Sequence, residues 1–144
     1  MWERIGLKGN MERFVKYSVA VALMSGDKLW LSQRASTKLF PNYWQFAGGK
    51  IEDGENPIAG GVRELKEETG LTVDESRLQY IGSITGDPST RVCYVYQVDL
   101  NSDEVPQRTE PDAMGEWLLL TPDEILKLHL LLPGIKNIIE KLTI

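Results

Sequence analysis

The apolar residues of this chain follow two rhythms, and the change from one to the other marks its elements. Residues 14–24, FVKYSVAVALM, form a β-branched, apolar run with the length of a buried strand. Ser25, Gly26, Asp27 and Lys28 read as a turn, and LWLSQR after them as the second arm of a hairpin. Residues 35–43 are a loop around Pro41. Trp44 and Phe46 then alternate with Gln45 and Ala47, as in a strand with its rings turned to the core. Period two gives way to a helical stripe at Ile58, Val62, Leu65 and Thr69, spaced i, i+4, i+7 and i+11. That helix has clear ends: Asn56 suits the N-cap, Pro57 the first helical position, and Gly70 the stop.

Further strands are expected over residues 77–85 (RLQYIGSIT) and 91–100 (RVCYVYQVDL), joined by a turn at Gly86, Asp87, Pro88 and Ser89. Residues 101–113 are polar and contain two prolines, so they read as a loop, and MGEWLLL as a short last strand. Thr121 and Pro122, with Asp123 and Glu124, open a helix, and IKNIIEKL forms another after Pro133 and Gly134. Strands first, one helix, more strands, then helices: the order suits a sheet sandwiched between helices.

Composition narrows the class. The 144 residues are enough for one domain with a real core, and 42% hydrophobic with 26% charged residues is ordinary for a globular protein. A net charge of −5 disfavours nonspecific nucleic-acid binding. It leaves an anionic small substrate open, because a bound cation reverses the local field. The single cysteine, Cys93, has no intramolecular disulfide partner and reads as a buried structural thiol. No apolar run reaches the ~20 residues of a membrane span, and the first residues lack a signal-peptide core, so a cytoplasmic location is expected. The one histidine, His129, stands alone near a helix end and reads as packing or surface.

The candidate chemistry sits on the helix that follows Asn56. Glu64, Glu67 and Glu68 fall at i, i+3 and i+4, on a face separate from the apolar stripe. Alone, such a run is the solvated side of an ordinary helix. Like charges this close raise one another's pKa unless something neutralises them, and a divalent cation with hard oxygen ligands does so. Arg63, four residues before Glu67, offers a further pairing. Gly60 and Gly61 cost the helix about 1–2 kcal/mol against alanine, and they read as room for a bulky group beside the acids.

The full spacing goes further. Gly49, five residues, Glu55, seven residues, then Arg63, Glu64, Leu65, one residue, Glu67, Glu68, one residue, Gly70 and Leu71 agree with the Nudix box at all of its fixed positions. The chain therefore resembles the Nudix hydrolases, most closely their small MutT-like members. The box covers residues 49–71, and Trp44, Gln45, Phe46, Gly48, Gly49 and Lys50 resemble the strand that leads into it. Ala47 stands where that strand usually carries proline.

The resemblance implies one Nudix domain over residues 1–144, with an α/β fold: an α/β/α sandwich around a mixed sheet. It implies cleavage of a nucleoside diphosphate linked to another group X, with Mg2+, or Mn2+ in its place, as cofactor. Matched position by position, Glu67 and Glu68 are the metal ligands. Glu64 orients or deprotonates water, or ligates metal. Glu55 is a metal-linked carboxylate or substrate-side group, and Arg63 steadies the glutamates. The Gly49 carbonyl completes a coordination sphere, while Lys50 and Arg34 meet phosphate. A late acid from outside the box is expected before the pair Glu116 and Trp117. Glu110 is the first candidate, with Asp112 and Glu116 as alternatives.

Size and the leading strand favour a nucleoside triphosphate cut to the monophosphate and pyrophosphate. The alternatives are ADP-ribose, a nucleotide sugar, a dinucleoside polyphosphate or a 5′-triphosphate RNA end. A nucleotide-sensing module without turnover is the alternative of another class. The asparagine that reads oxidised guanine in MutT has no clear counterpart here. A nucleotide is the expected partner, with neither membrane nor nucleic acid, and family members are often homodimers.

Overall fold

The length of the first strand decides the arrangement of the rest. The computed structural model describes residues 15–36, 38, 40–85, 90–131 and 134–142, so the expected turn at 86–89 lies outside the described residues. Strand β1 (Val15–Ser25) is long enough to serve several partners. Along one edge it pairs antiparallel first with β4 (Ala47–Lys50), from Ser18 to Val21, and then with β2 (Lys28–Gln33), from Leu23 to Ser25. Along the other edge it runs parallel to β6 (Thr90–Asp99). Strand β5 (Gln79–Thr85) pairs with the outside of β6, and β3 (Trp44–Gln45) and β7 (Leu118–Leu120) both pair with β2. The sheet is mixed, in the order β3-β2-β1-β6-β5, with β4 and β7 off that path.

Alternation along β1 splits the core into two layers. Val21 and Leu23 face helix α1 (Pro57–Thr69) together with Ala47, Leu65, Leu78, Val98, Met114 and Trp117. Ala22 and Met24 face the other side, where they meet Phe46, Val95, Ile125, Ile135 and Ile138. Ile125 belongs to α2 (Pro122–Leu126), and Ile135 and Ile138 to α3 (Ile135–Lys141). One helix on one face and two on the other make the α/β/α sandwich. Cys93 is buried in the second layer. Among the described residues no helix is long and apolar enough to cross a membrane.

The helix ends follow their expected chemistry. The Asn56 side chain accepts from Ala59 N–H at 2.9 Å, and Gly70 adopts a left-handed φ of 78° while donating to Lys66 O. Thr121 and Glu124 form a reciprocal capping box. Several boundaries differ from expectation; the last strand, for one, is only Leu118–Leu120. Strand β5 begins at Gln79 because Glu75–Arg77 form a 3-10 turn, capped by the Asp74 side chain. Helix α2 stops at Leu126, so His129 lies past its end, exposed in a bend.

Gly60 and Gly61 need a larger correction. Both are buried, and neither leaves room for a ligand. A Cβ on Gly61 would lie 3.1 Å from Leu78 Cδ2 and 3.4 Å from Cγ2 of Val19 and Val21; one on Gly60 would lie 3.1 Å from Glu55 Oε1. The glycines bring α1 down onto the sheet instead. Gly48 is tighter still, since its Cβ would sit 2.2 Å from Val19 O and 2.8 Å from Ala20 Cα.

Two stability outcomes follow. Gly48→Ala should cost about 3 kcal/mol or more in urea unfolding, because backbone atoms cannot step aside. Gly61→Ala should fall within about 1 kcal/mol of the parent, since helix propensity offsets a yielding leucine methyl. A further outcome concerns the turn after β6, where Arg77 grips Glu104 through two bonds of 2.7 and 2.8 Å and donates to Asp99 O at 2.9 Å. The Arg77 guanidinium holds the Glu104 carboxyl down to about 2. A depressed folded value contributes stability above the unfolded carboxylate range and loses it as pH falls through about 2. Glu104→Gln should therefore cost about 1 kcal/mol at pH 7. That difference should shrink towards zero by pH 2 when urea midpoints are compared.

Candidate active site

The site forms where α1 crosses β4, and its centre is a cation of the protein's own. Arg63 projects from the second turn of α1 into a group of acids. Its Nε donates to Glu55 Oε2 at 2.8 Å and its Nη2 to Glu55 Oε1 at 2.9 Å, a two-point grip on one carboxylate. Nη2 also donates to Lys50 O at 2.8 Å, which ties the helix to the end of β4. Nη1 reaches Glu64 Oε1 at 3.0 Å and Glu67 Oε1 at 3.2 Å. The expected Arg63–Glu67 pairing is therefore one of several contacts, and the strongest grip is on Glu55, across the loop.

The acids differ in environment. Glu64 and Glu68 are buried, at 9% and 8% exposure, whereas Glu67 is exposed. The three therefore do not share one solvated face. Glu64 lies against Gly49, where any Cβ would stand 2.6 Å from its carboxyl carbon. Glu68 Oε1 accepts from Gly48 N–H at 2.8 Å. The two glycines of β4 thus form the wall against which both buried carboxylates rest.

Burial sets the electrostatics. Removal from water pushes the Glu64 carboxyl up, and this outweighs the lowering effect of Arg63 beside it. Glu68 rises to about 8: burial is the largest cause, opposed by Gly48 N–H and reinforced by the charges of Glu64, Glu110 and Glu67. Glu55 goes the other way, down to about 2, because Arg63 bonds to it directly. Arg63 itself is held protonated even more firmly than a free arginine, chiefly by Glu55.

The other candidate residues come from the ends of β2 and β4 and from the loop after β6. Glu110, half-buried in the loop after β6, lies close enough for its charge to raise both Glu64 and Glu68. Asp112 and Glu116 are exposed, and Glu116 turns to Arg108 at 3.8 Å. Lys50 is exposed at the end of β4. Arg34 stands at the end of β2, where its Nη1 donates to Gln45 Oε1 at 2.9 Å. Gln45 was not singled out by the sequence, although a polar side chain between Trp44 and Phe46 had to face the side opposite the rings.

Glutamate and backbone-carbonyl oxygens are the hard donors that Mg2+ takes. Their arrangement, however, differs from the ready-made cluster that the spacing suggests. Among the described residues, no three acidic, histidine or cysteine side chains are gathered tightly enough to hold a metal ion. Arg63 draws Glu64 and Glu67 to itself, and Gly48 draws Glu68 to the strand.

Comparison with known proteins agrees with this architecture. A family model described as NUDIX domain matches residues 15–142. The m7GpppN-mRNA hydrolase NUDT17 of Xenopus laevis is 43% identical over 72 residues, covering 49% of this chain and 24% of that protein. The 8-oxo-dGTP diphosphatase of Escherichia coli K12 is 39% identical over 59 residues, covering 40% of this chain and 46% of that protein. The chain thus spans less than half the length of either relative. A MutT NUDIX hydrolase from Burkholderia pseudomallei superimposes with a TM-score of 0.76 at 20% identity, over 89% of this chain and 98% of that one. With the family match running from the first strand to the last helix, this chain belongs to the Nudix family.

Proposed function

We propose that this chain, acting as one Nudix domain, hydrolyses a phosphoanhydride bond in a nucleoside diphosphate linked to X. The reading favoured is conversion of a (d)NTP to the (d)NMP and pyrophosphate. The observation that carries it is the pair of buried carboxylates on β4, Glu64 against Gly49 and Glu68 on Gly48 N–H, with Arg63 tying Glu64 to the exposed Glu67.

In this reading Glu67, Glu68, Glu64, Glu110 and the Gly49 carbonyl are the groups that would hold Mg2+. Bound there, the ion would neutralise phosphate charge and acidify water. The chain's own residues supply the rest. Arg63 keeps Glu55, Glu64 and Glu67 in register with β4, and its bond to Lys50 O fixes the distance between helix and strand. Glu64 is the group that orients the attacking water or takes its proton. The water oxygen forms the new bond to phosphorus as the anhydride P–O bond breaks and pyrophosphate departs. In this reading Lys50 and Arg34 meet phosphate oxygens, and the bond from Arg34 Nη1 to Gln45 supports the orientation of the fork.

A second reading has support in the NUDT17 match: an anhydride within an mRNA cap, the substrate class in that relative's name. The net charge of −5 weighs against long RNA.

A product assay separates these readings. The protein is incubated with Mg2+ and, in turn, canonical and oxidised (d)NTPs, ADP-ribose, nucleotide sugars, dinucleoside polyphosphates, and capped and 5′-triphosphate RNA. Release of pyrophosphate from a triphosphate supports the favoured reading. Turnover confined to the RNA substrates moves the assignment to the second, and binding without turnover refutes both. Glu67→Gln should lower kcat by at least ~100-fold with the unfolding midpoint unchanged, since this exposed side chain carries no core packing. Near-normal turnover in that variant would remove Glu67 from the ligand set.

A further inference from the structure

Glu110 is a carboxylate held among carboxylates. It directly follows Thr109, whose hydroxyl donates to Glu67 O, so the chain brings it to the end of α1 that bears Glu67 and Glu68. It sits on a loop without regular structure. The hydrogen bonds of residues 107–117 identify what holds that loop in place.

The last carbonyls of a helix have no partners within it and normally face water. At the end of α1, three of them are taken by this one loop. Gln107 N–H donates to Thr69 O at 3.0 Å, the Thr109 hydroxyl donates to Glu67 O, and Trp117 Nε1 donates to Glu68 O at 3.3 Å. Two of those carbonyls belong to the acids themselves, so the loop is fastened to the backbone that carries Glu67 and Glu68. Its far side is fastened to the sheet, with Gly115 N–H donating to Gln33 O at 2.8 Å and Ala35 N–H to Ala113 O at 2.9 Å.

Inside the loop a single guanidinium closes the turn. Arg108 Nε donates to Met114 O at 3.0 Å and its Nη2 to Pro111 O at 3.0 Å, while Ala113 and Met114 N–H donate to Glu110 O at 2.9 and 3.1 Å. Arg108 lies 3.8 Å from the Glu116 carboxylate but directs its fork to backbone. Glu110 stands between these two sets of bonds.

We propose that Arg108 and Thr109 are positioning residues: they form a bracket that holds Glu110 in place relative to Glu67 and Glu68. The proposal rests on the reading above that Glu110 works together with the helix acids. The test compares Thr109→Val, which keeps the shape and loses the hydroxyl, with Thr109→Ser, which keeps the hydroxyl. It also compares Arg108→Met with Arg108→Lys. Three quantities are measured: kcat and KM on the best nucleotide substrate, Mn2+ affinity from the electron paramagnetic resonance signal of the free ion, and the thermal midpoint.

Thr109→Val should lower kcat about tenfold with KM little changed and weaken Mn2+ binding by a similar factor. Thr109→Ser should restore both. Arg108→Met should behave like Thr109→Val, and Arg108→Lys should not rescue it, because one ammonium does not reproduce the fork. In a Glu110→Gln background, Thr109→Val should add no further loss.

A fall in thermal midpoint with kcat and Mn2+ affinity intact would reduce the bracket to a stability feature and overturn the proposal. So would a full additional loss in the Glu110→Gln background. If no nucleotide is turned over by the parent protein, the functional reading fails, and the Mn2+ arm still decides the bracket: equal affinity in parent and Thr109→Val overturns it.

Discussion

The bidentate bond between Arg63 and Glu55 is the constraint on which the site rests. Arg63 lies on α1, Glu55 lies in the loop before it, and Lys50 O, the third point of attachment, ends β4. One rigid, planar fork thereby sets where the helix sits along the strand. Because Nη1 of the same side chain holds Glu64 and Glu67, the position of the acids is coupled to the position of the backbone. A lysine at this place would supply charge without the fork, and with it only one of those four contacts at full strength.

The fork needs the helix close to the sheet, and small residues on both surfaces make that approach. Gly61 lets α1 rest on Val19 and Val21, Gly48 lets β4 lie against the backbone of Val19 and Ala20, and Gly49 leaves β4 bare for Glu64. Burial then works against ionisation. Each carboxylate removed from water without a full countercharge is raised in pKa, as Glu64 and Glu68 are. The close packing that gives the site its shape is thus also the source of its unfavourable electrostatics.

Much of this was legible in the residues, for identifiable reasons. Asn56, Pro57 and Gly70 bound α1 because each suits a particular helix-end geometry, and the apolar run from residue 14 marks the strand that the sheet is built on. Local chemistry of that kind does not depend on tertiary structure. The failures lie where tertiary contacts decide. The apolar run around His129 reads as helix, yet Leu130 adopts a left-handed φ of 58° and offers its carbonyl to Trp44 N–H at 2.8 Å. A helical wheel places Gly60 beside Glu64 but does not say where the sheet lies, so buried packing looked like open space. The spacing i, i+4 pointed to Arg63 with Glu67, whereas the dominant partner, Glu55, is eight positions away across the start of the helix. Arg108 and Thr109 left no pattern at all, since bonds from side chain to distant backbone carry no period.

One balance remains, between the charges gathered at α1 and what holds them there. Glu55, Glu64 and Glu67 all bond to a single guanidinium, while Glu68 rests on Gly48 N–H, and Arg63 spends most of its capacity on Glu55, whose carboxyl drops to about 2. The buried pair Glu64 and Glu68 and the nearby Glu110 are left with less countercharge than they carry. A fold selected for stability alone would replace one of these acids with a neutral side chain of like shape, which costs little and removes the repulsion. Instead, backbone is fixed from two sides, by the glycine wall of β4 and by the loop clasping the last carbonyls of the helix. Rigid scaffolding around an uncompensated negative centre is wasteful for a structural element. It is what a site needs if its missing charge is to arrive with a cation and its substrate.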